Sequence, residues 1–231
     1  MAGSRWQLTA ASAAISSHTR WSSRDAHHHY RGGVGWRQSR PRVCRQGHTI
    51  CFGAREPGSA KLAALLTETG ATALPVAQAV QGAEVVVLAT PWDVTLATVH
   101  GLELRGKVVV DATNPLLPNL AGLAVGSETS GAEEIQRAAP GALVVKCFNT
   151  TGANNYLTPA YPDGAAMMPY CGDDAPGKAV VRQLGEGLGF DMVDLGPLSR
   201  ARQLESLALF WITLAYPQGL GRDFALRLMR R

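Results

Sequence analysis

Two polar turns, each following a short apolar run, are the residues of this sequence best placed for chemistry. They are, in chain order, Thr90, Pro91 and Trp92, and then residues 111–115, which include Asn114 and Pro115. The runs before them, at residues 85–89 and 108–110, are rich in valine, which is typical of strands buried on both faces of a parallel sheet. Because ligands of open α/β sheets bind outside the carboxyl ends of the strands, the two turns predict a nucleotide site. One such turn alone would be interpreted as an ordinary strand-to-helix connection.

A third position of interest follows an apolar run at residues 48–53, where Arg55 is the first charged side chain. NAD-specific folds usually carry an acidic residue at this strand end, whereas an arginine suits the 2′-phosphate of NADP. Ser59 and Lys61 lie nearby, and Lys61 would add a positive charge. The alternative is a solvated arginine at a helix start, and Arg55 by itself does not decide between the two.

The sequence contains no set of side chains that suggests acid–base or metal chemistry. His48 and His100 are the only histidines after residue 46, and their positions suit a capping or core role. The four cysteines have no metal-ligand spacing; they are Cys44, Cys51, Cys147 and Cys171. We therefore expect no catalytic side chain, no bound metal and buried lone thiols.

The elements that would position these turns alternate between short strands and helices. Strands are expected at residues 48–53, 72–74, 85–89, 107–112, 143–148, 166–171 and 191–195. Helices are expected at residues 57–69, 76–80, 94–100, 132–138, 175–188, 201–216 and 223–229. This alternation predicts an α/β fold, a Rossmann-type doubly wound sheet with a small C-terminal α/β part. Residues 116–127 read as a long loop of the kind that often forms a lid.

Composition limits the partners that the chain is expected to have. Hydrophobic residues make up 46% of the 231 residues, enough for a sizeable core, and no apolar run reaches the length of a membrane span. The charge is uneven, because residues 1–46 hold 8 arginines and 1 acidic residue, whereas the rest holds 14 basic and 17 acidic residues. The basic pI of about 9.0 therefore comes from the first fifth of the chain and does not indicate a nucleic-acid surface on the folded part.

Residues 1–46 do not read as the first strand and glycine-rich turn that a dinucleotide-binding fold requires. The nearest match is the glycine run around Gly33, but no apolar strand leads into it. Pro41 also interrupts the helix that should follow it. A one-base shift of the reading frame would turn the Trp36 codon into glycine. It would also permit a β-branched strand at residues 27–30, followed by glycines at 31 and 33. We hypothesise such a frameshift upstream of Gly47, which would impair the chain as written. The alternative is a genuine disordered extension.

Several stretches from Gly47 onwards resemble one family. They are GHTICFGARE, VVVLATPW, GKVVVDATNPL, VVKCFNTTGANN and LGFDMVDLGPLSRARQLE. Together they resemble the NADPH:8-hydroxy-5-deazaflavin oxidoreductase family. The resemblance implies NADP(H) on the strand ends, with Arg55 near the 2′-phosphate. It further implies that Thr90, Pro91, Trp92, Asn114 and Pro115 border the nicotinamide ribose, and that Phe148, Asn149 and Thr150 face the acceptor.

These observations give three expected segments. Residues 1–46 would be disordered or frameshifted, residues 47–150 the remainder of an NADP-binding domain, and residues 151–231 an acceptor-pocket part. We expect an NADP-dependent oxidoreductase that transfers a hydride between NADPH and a flat ring acceptor, a deazaflavin or flavin. The alternative is a non-catalytic NADP(H)-binding or sensing protein on the same fold. A cytoplasmic location and a small-molecule partner are expected, without nucleic acid or membrane, and a homodimer is left open.

Overall fold

The structure of the protein is a computed structural model that describes residues 7–11, 48–126 and 128–231. The strands are β1 Gln7–Ala11, β2 Thr49–Ala54, β3 Thr72–Pro75, β4 Val85–Leu88, β5 Val108–Asp111, β6 Leu143–Lys146, β7 Ala160–Tyr161, β8 Gly164–Ala165, β9 Met167–Gly172 and β10 Asp191–Asp194. The helices are α1 Ala60–Thr69, α2 Val76–Gln81, α3 Trp92–His100, α4 Gly131–Ala138, α5 Ala175–Leu188 and α6 Ala201–Ala215. Within these ranges, every helix is too short or too polar to cross a lipid bilayer.

Eight of the strands form one sheet in the order β10-β9-β6-β5-β4-β1-β2-β3. From β3 to β6 all neighbours are parallel, and β9 then pairs antiparallel with β6. The order 3-2-1-4-5-6 within this sheet is that of the doubly wound dinucleotide-binding fold. The predicted fold class, a Rossmann-type α/β sheet, is confirmed.

The core lies on both faces of this sheet. Along β4, Val85 and Val87 pack with α5 on one face, whereas Val86 and Leu88 pack with α4 and α6 on the other. Successive side chains of a strand point to opposite faces, so a strand covered on both sides must be apolar at every position. This is the physical reason why the valine runs of the sequence located the central strands.

The central strand of the sheet comes from a segment whose sequence pattern did not predict a strand. Residues Gln7–Ala11 form β1 between β2 and β4, with Leu8 in register with Ile50 and Val85. The prediction that residues 1–46 lack a strand is therefore wrong for these five residues. Without a strand there, the facing edges of β2 and β4 would leave backbone hydrogen-bonding groups unpaired. Gly33 and the proposed frameshift lie outside the described residues.

The helix predicted at residues 223–229 is also wrong, because these residues run without helical structure. The carbonyl oxygen of Phe224 accepts hydrogen bonds from Trp211 Nε1 at 3.2 Å and from Asn155 Nδ2 at 2.9 Å. The Leu226 carbonyl accepts one from Met167 N at 2.8 Å, at the start of β9. Tertiary partners thus take up the backbone groups that a helix would pair internally.

Candidate functional site at the carboxyl ends of the strands

The turns that follow β4, β5 and β6 lie at one edge of the sheet. These three strands are parallel neighbours, with Leu88 in register with Asp111 and Asp111 with Lys146. The side chains of the two asparagines after β5 and β6 meet at this edge. Asn114 Nδ2 donates to the Asn149 carbonyl at 3.1 Å, and Asn149 Nδ2 donates to Asn114 Oδ1 at 2.9 Å. The structure therefore brings together two of the predicted site residues that are 35 positions apart in the sequence.

The turn after β4 is built by hydrogen bonds within the first turn of α3. The Thr90 hydroxyl is buried and lies 2.7 Å from the Thr95 hydroxyl, which donates to the Pro91 carbonyl at 2.8 Å. The helix begins at Trp92, two residues before the predicted start. The half-buried Trp92 ring packs closely on Gly131, where a Cβ would lie 3.0 Å from the ring. The ring of Trp92 thus joins this turn to the start of α4.

The residues expected to face the acceptor are buried in the structure. The Phe148 ring lies in the core, 6.1 Å from the Tyr156 ring and 6.5 Å from the Phe190 ring between centroids. Its backbone is left-handed, with φ of 62°. The Thr150 hydroxyl lies 3.8 Å from the Met168 sulfur. Contact of Phe148, Asn149 and Thr150 with an acceptor stays a prediction.

A buried cluster of three charged side chains, Asp111, Lys146 and Glu205, contacts the turn that leads to Asn114. All three are at most 1% exposed. The Lys146 ammonium lies 2.8 Å from Asp111 Oδ2 and 3.0 Å from Glu205 Oε1, and it donates to the Thr113 carbonyl at 2.7 Å. A buried ammonium requires such partners on all sides, because desolvation of an unpaired charge costs several kcal/mol. We call these three residues the buried triad.

The second carboxylate of the buried triad is held at the start of α4. Glu205 accepts from Gly131 N at 3.1 Å and from Ala132 N at 3.3 Å, where the helix dipole favours a negative charge. Burial raises the pKa of Glu205, with Asp111 adding to the effect and Lys146 opposing it. Burial by itself would lower the pKa of Lys146, but the carboxylates of Asp111 and Glu205 outweigh it and the pKa is raised.

Of the buried triad, the sequence pattern marked only Asp111, as the first residue of the polar turn after β5, and it assigned no role to Lys146 or Glu205. Two signals were available: Lys146 ends an apolar run that reads as a buried strand, and Glu205 lies between Leu204 and Ala208 on the apolar side of α6. A charge at a position that the pattern assigns to the core requires a buried partner.

In the described ranges, no group of three or more His, Cys, Asp or Glu side chains is placed to hold a metal ion.

Cys51, Cys147 and Cys171 are free and buried, as expected for lone thiols. Burial raises the pKa of Cys171 to about 12 and that of Cys147 well above its usual range. Because the thiolate is the reactive form, these two side chains act as small hydrophobic residues. Cys44 lies outside the described residues.

The residues predicted to bind the 2′-phosphate lie after β2. Arg55 follows the strand directly and is exposed, and Ser59 is the N-cap residue of α1. Lys61 is in the first turn of α1, but its side chain lies outside the described part, as does Gly33. The structure therefore places Arg55 and Ser59 at the carboxyl edge of the sheet, on the side of the sheet where β2 lies.

In the protein with the restored reading frame, replacing Arg55 by alanine is expected to weaken NADPH binding about 10- to 100-fold, since a charge-assisted hydrogen bond contributes about 1.5–3 kcal/mol. Binding of NADH, which lacks the 2′-phosphate, should be nearly unchanged. Calorimetric titration of both nucleotides measures the two effects. If both affinities fell equally, Arg55 would be a structural residue.

A cavity of about 900 Å³ lies next to the buried triad. It lies between the segment after β5 and the start of α6. The segment after β5 contributes Leu123, Val125, Gly126 and Thr129 to its lining. Glu205 of the buried triad forms part of its wall. Its volume is within the range of small-molecule sites.

Residues 41–115 match the family model described as NADP oxidoreductase coenzyme F420-dependent. The matched range includes β2 to β5 and ends at Pro115. It therefore covers the predicted residues at the ends of β2, β4 and β5.

Two curated relatives are mammalian metalloreductases. The chain is 32% identical over 108 residues to metalloreductase STEAP3 of Rattus norvegicus, covering 46% of this chain and 21% of that protein. It is 32% identical over 112 residues to metalloreductase STEAP2 of Homo sapiens, covering 48% of this chain and 21% of that protein. The chain thus spans about a fifth of the length of these relatives.

Solved structures show similarity over most of the chain. A protein of Arthrobacter sp. FB24, provisionally described as an F420-dependent NADP reductase, superposes with a TM-score of 0.78 at 27% identity, covering 97% of this chain and all of that chain. A hypothetical protein of Sinorhizobium meliloti gives 0.66 at 25% identity, covering 84% and 86%. At a general level, the chain is therefore similar to NADP-dependent oxidoreductases with a Rossmann-type sheet.

Proposed function

We propose that this protein is an NADP(H)-dependent oxidoreductase that transfers a hydride between NADPH and a flat ring acceptor, a deazaflavin or flavin. The observation that carries the proposal is the sheet order 3-2-1-4-5-6, with polar turns after β4, β5 and β6 at its carboxyl edge. The similarity to the Arthrobacter protein that is provisionally described as an F420-dependent NADP reductase, over 97% of this chain, also supports an NADP(H)-dependent oxidoreductase.

The residues at this edge fit an NADP(H) molecule that lies across the strand ends. Arg55, exposed after β2, would bind the 2′-phosphate, and Ser59 and Lys61 would lie beside it. Thr90 and Pro115 are buried, so they would shape the nicotinamide end through their backbone, whereas Pro91, Trp92 and Asn114 are half-buried and would contact it directly. The pyrophosphate turn, for which the sequence analysis named Gly33, lies outside the described residues.

NADPH, when bound, supplies the hydride, so the protein must mainly orient the ring and exclude water. The buried triad holds the turn before Asn114. Asp111 Oδ1 accepts from the backbone N–H and the hydroxyl of Thr113, at 2.9 and 2.7 Å. Lys146 binds the carbonyl of the same residue. A shift of this turn would break these three hydrogen bonds to buried charged groups, and the buried triad therefore helps to fix the asparagine pair.

Direct transfer predicts that deuterium from one face of C4 of NADPH is retained on the acceptor and does not exchange with water. A shallow pH profile of kcat is also expected, because we assign no titrating side chain to the chemical step. Mass spectrometry of the reduced acceptor measures the retention. Solvent deuterium at the hydride position, or a single sharp pKa near neutrality in the rate, would contradict direct transfer.

The choice of acceptor is tested by NADPH oxidation with a panel that contains the deazaflavin coenzyme, FMN and a ferric chelate. Stoichiometric NADPH binding without oxidation by any of them would instead support the sensing alternative.

We also propose that residues 47–150 complete the NADP-binding domain with β1, and that residues 151–231 contribute the acceptor pocket. We further propose a cytoplasmic protein with a small-molecule partner and without nucleic acid or membrane. The net charge of −3 after residue 46 supports the absence of a nucleic-acid surface there.

A further inference from the structure

The cavity beside α6 is joined to the proposed acceptor site by direct hydrogen bonds. Asn149 Nδ2 donates to the Leu204 carbonyl at 3.2 Å, immediately before Glu205 in the cavity wall. On the opposite wall, Ala124 N donates to the Pro115 carbonyl at 2.6 Å, between the lining residues Leu123 and Val125. Both walls of the cavity are therefore hydrogen-bonded to the turns after β5 and β6, so the cavity borders the proposed acceptor site.

The walls of the cavity combine apolar and polar surfaces. Leu123 and Val125 contribute apolar surface from the loop, and Leu207 and Leu209 contribute it from α6. The remaining surface is mainly hydroxyl, amide and charged groups near the start of α6. Such a mixture suits one end of a ligand with both an apolar and a polar part.

Three charged side chains line the cavity, and two of them are already held by partners within the protein. Arg202 is held by Glu133 through two hydrogen bonds of 2.9 and 2.7 Å. Glu205 is held by Lys146 and by two backbone N–H groups of α4. The third charged side chain, Arg200, is exposed, and no carboxylate of the described ranges lies within 4.0 Å of it. The available charge of the cavity is therefore positive.

We propose that this cavity binds an anionic side chain of the ring acceptor, and that Arg200 selects acceptors that carry a phosphate. The proposal rests on the proposed function, since it assigns the ring to the adjacent strand ends. An arginine fork binds a phosphate through two parallel hydrogen bonds, which gives selectivity over an uncharged side chain. FMN and riboflavin share one ring and differ in this phosphate, so they test the assignment directly.

The experiment measures the dissociation constants of FMN and riboflavin by quenching of flavin fluorescence, with the full chain and saturating NADP+. FMN should bind at least about 10-fold more tightly than riboflavin, which corresponds to one charge-assisted hydrogen bond. Arg200→Ala should remove this preference and leave riboflavin binding unchanged, and Arg200→Lys should restore part of it. The control is Arg182→Ala, an exposed arginine paired with Glu186 on α5, at the other face of the sheet.

Equal affinity of the wild-type protein for the two flavins, or failure to bind either, would overturn the proposal. It would also be overturned if Arg200→Ala weakened both flavins equally, or if Arg182→Ala gave the same loss. The proposed function is tested separately by NADPH oxidation. Selective FMN binding without turnover would count against that function only, whereas turnover without FMN selectivity would count against the role of Arg200 only.

Discussion

Replacing Lys146 by methionine is expected to lower the free energy of unfolding by about 3–5 kcal/mol, the usual effect of breaking a buried ion pair. Methionine has a similar length but no charge, so Asp111 and Glu205 would remain buried without their cation. Urea denaturation followed by circular dichroism measures the change. A loss below about 1 kcal/mol, as for a surface ion pair, would contradict the importance of the buried triad.

The control is Lys178→Met, which removes another lysine from an ion pair. Lys178 lies 3.0 Å from Asp194, but the two side chains are 19% and 41% exposed. Water compensates for the loss of such a pair, so we expect a change of at most about 1 kcal/mol. The comparison separates burial of the charge from the mere presence of a salt bridge.

The pH dependence of the Lys146→Met effect tests its electrostatic origin. The pKa of Glu205 is already raised in the wild-type protein, so its contribution to stability is greatest below its unfolded pKa and is lost as pH rises through its folded pKa. Without Lys146, which lowers this pKa, the loss with rising pH should be larger. The destabilisation should therefore be smaller near pH 4 than at pH 7, and adding Glu205→Gln should recover part of it. An effect independent of pH would indicate lost packing.

Restoring the reading frame upstream of Gly47 is expected to tighten NADPH binding at least about 100-fold, since two charge-assisted hydrogen bonds from a glycine-rich turn contribute about 3–6 kcal/mol. In the restored frame, the strand at residues 27–30 would compete with Gln7–Ala11 for the position between β2 and β4. Only the restored strand leads into glycines with the spacing that a pyrophosphate requires.

Calorimetric titration of both chains with NADPH measures this difference. The matched control is Gly33→Val in the restored chain, which should lose most of the gain because a side chain would block approach of the phosphates. Equal affinity of the chain as written and the restored chain would contradict the frameshift hypothesis. It would mean that the segment beginning with β1 supplies a working site.

Several features were determined by the sequence itself, because they depend on local patterns. The valine runs that became β4 and β5 are apolar at every position, which only a strand covered on both faces requires. Ser130 directly precedes α4, where a serine is a favoured N-cap, and its hydroxyl accepts from Glu133 N at 3.2 Å. The polar turns after β4 and β5 were found in the same way, since they follow recognisable strands.

Other features were decided by the tertiary structure, because their partners are distant in the sequence. Nothing near Lys146 indicates that its charge is balanced by Asp111, 35 residues earlier, and by Glu205 on the last helix. The segment after α6 has a helical pattern, but its carbonyls bind Trp211 and Met167 instead. The strand Gln7–Ala11 carries no strong local signal and forms because β2 and β4 leave a position between them. An unpaired buried charge or an unpaired backbone edge costs more free energy than a local helix or strand propensity contributes. The tertiary structure therefore overrides the local propensity wherever such a group must find a partner.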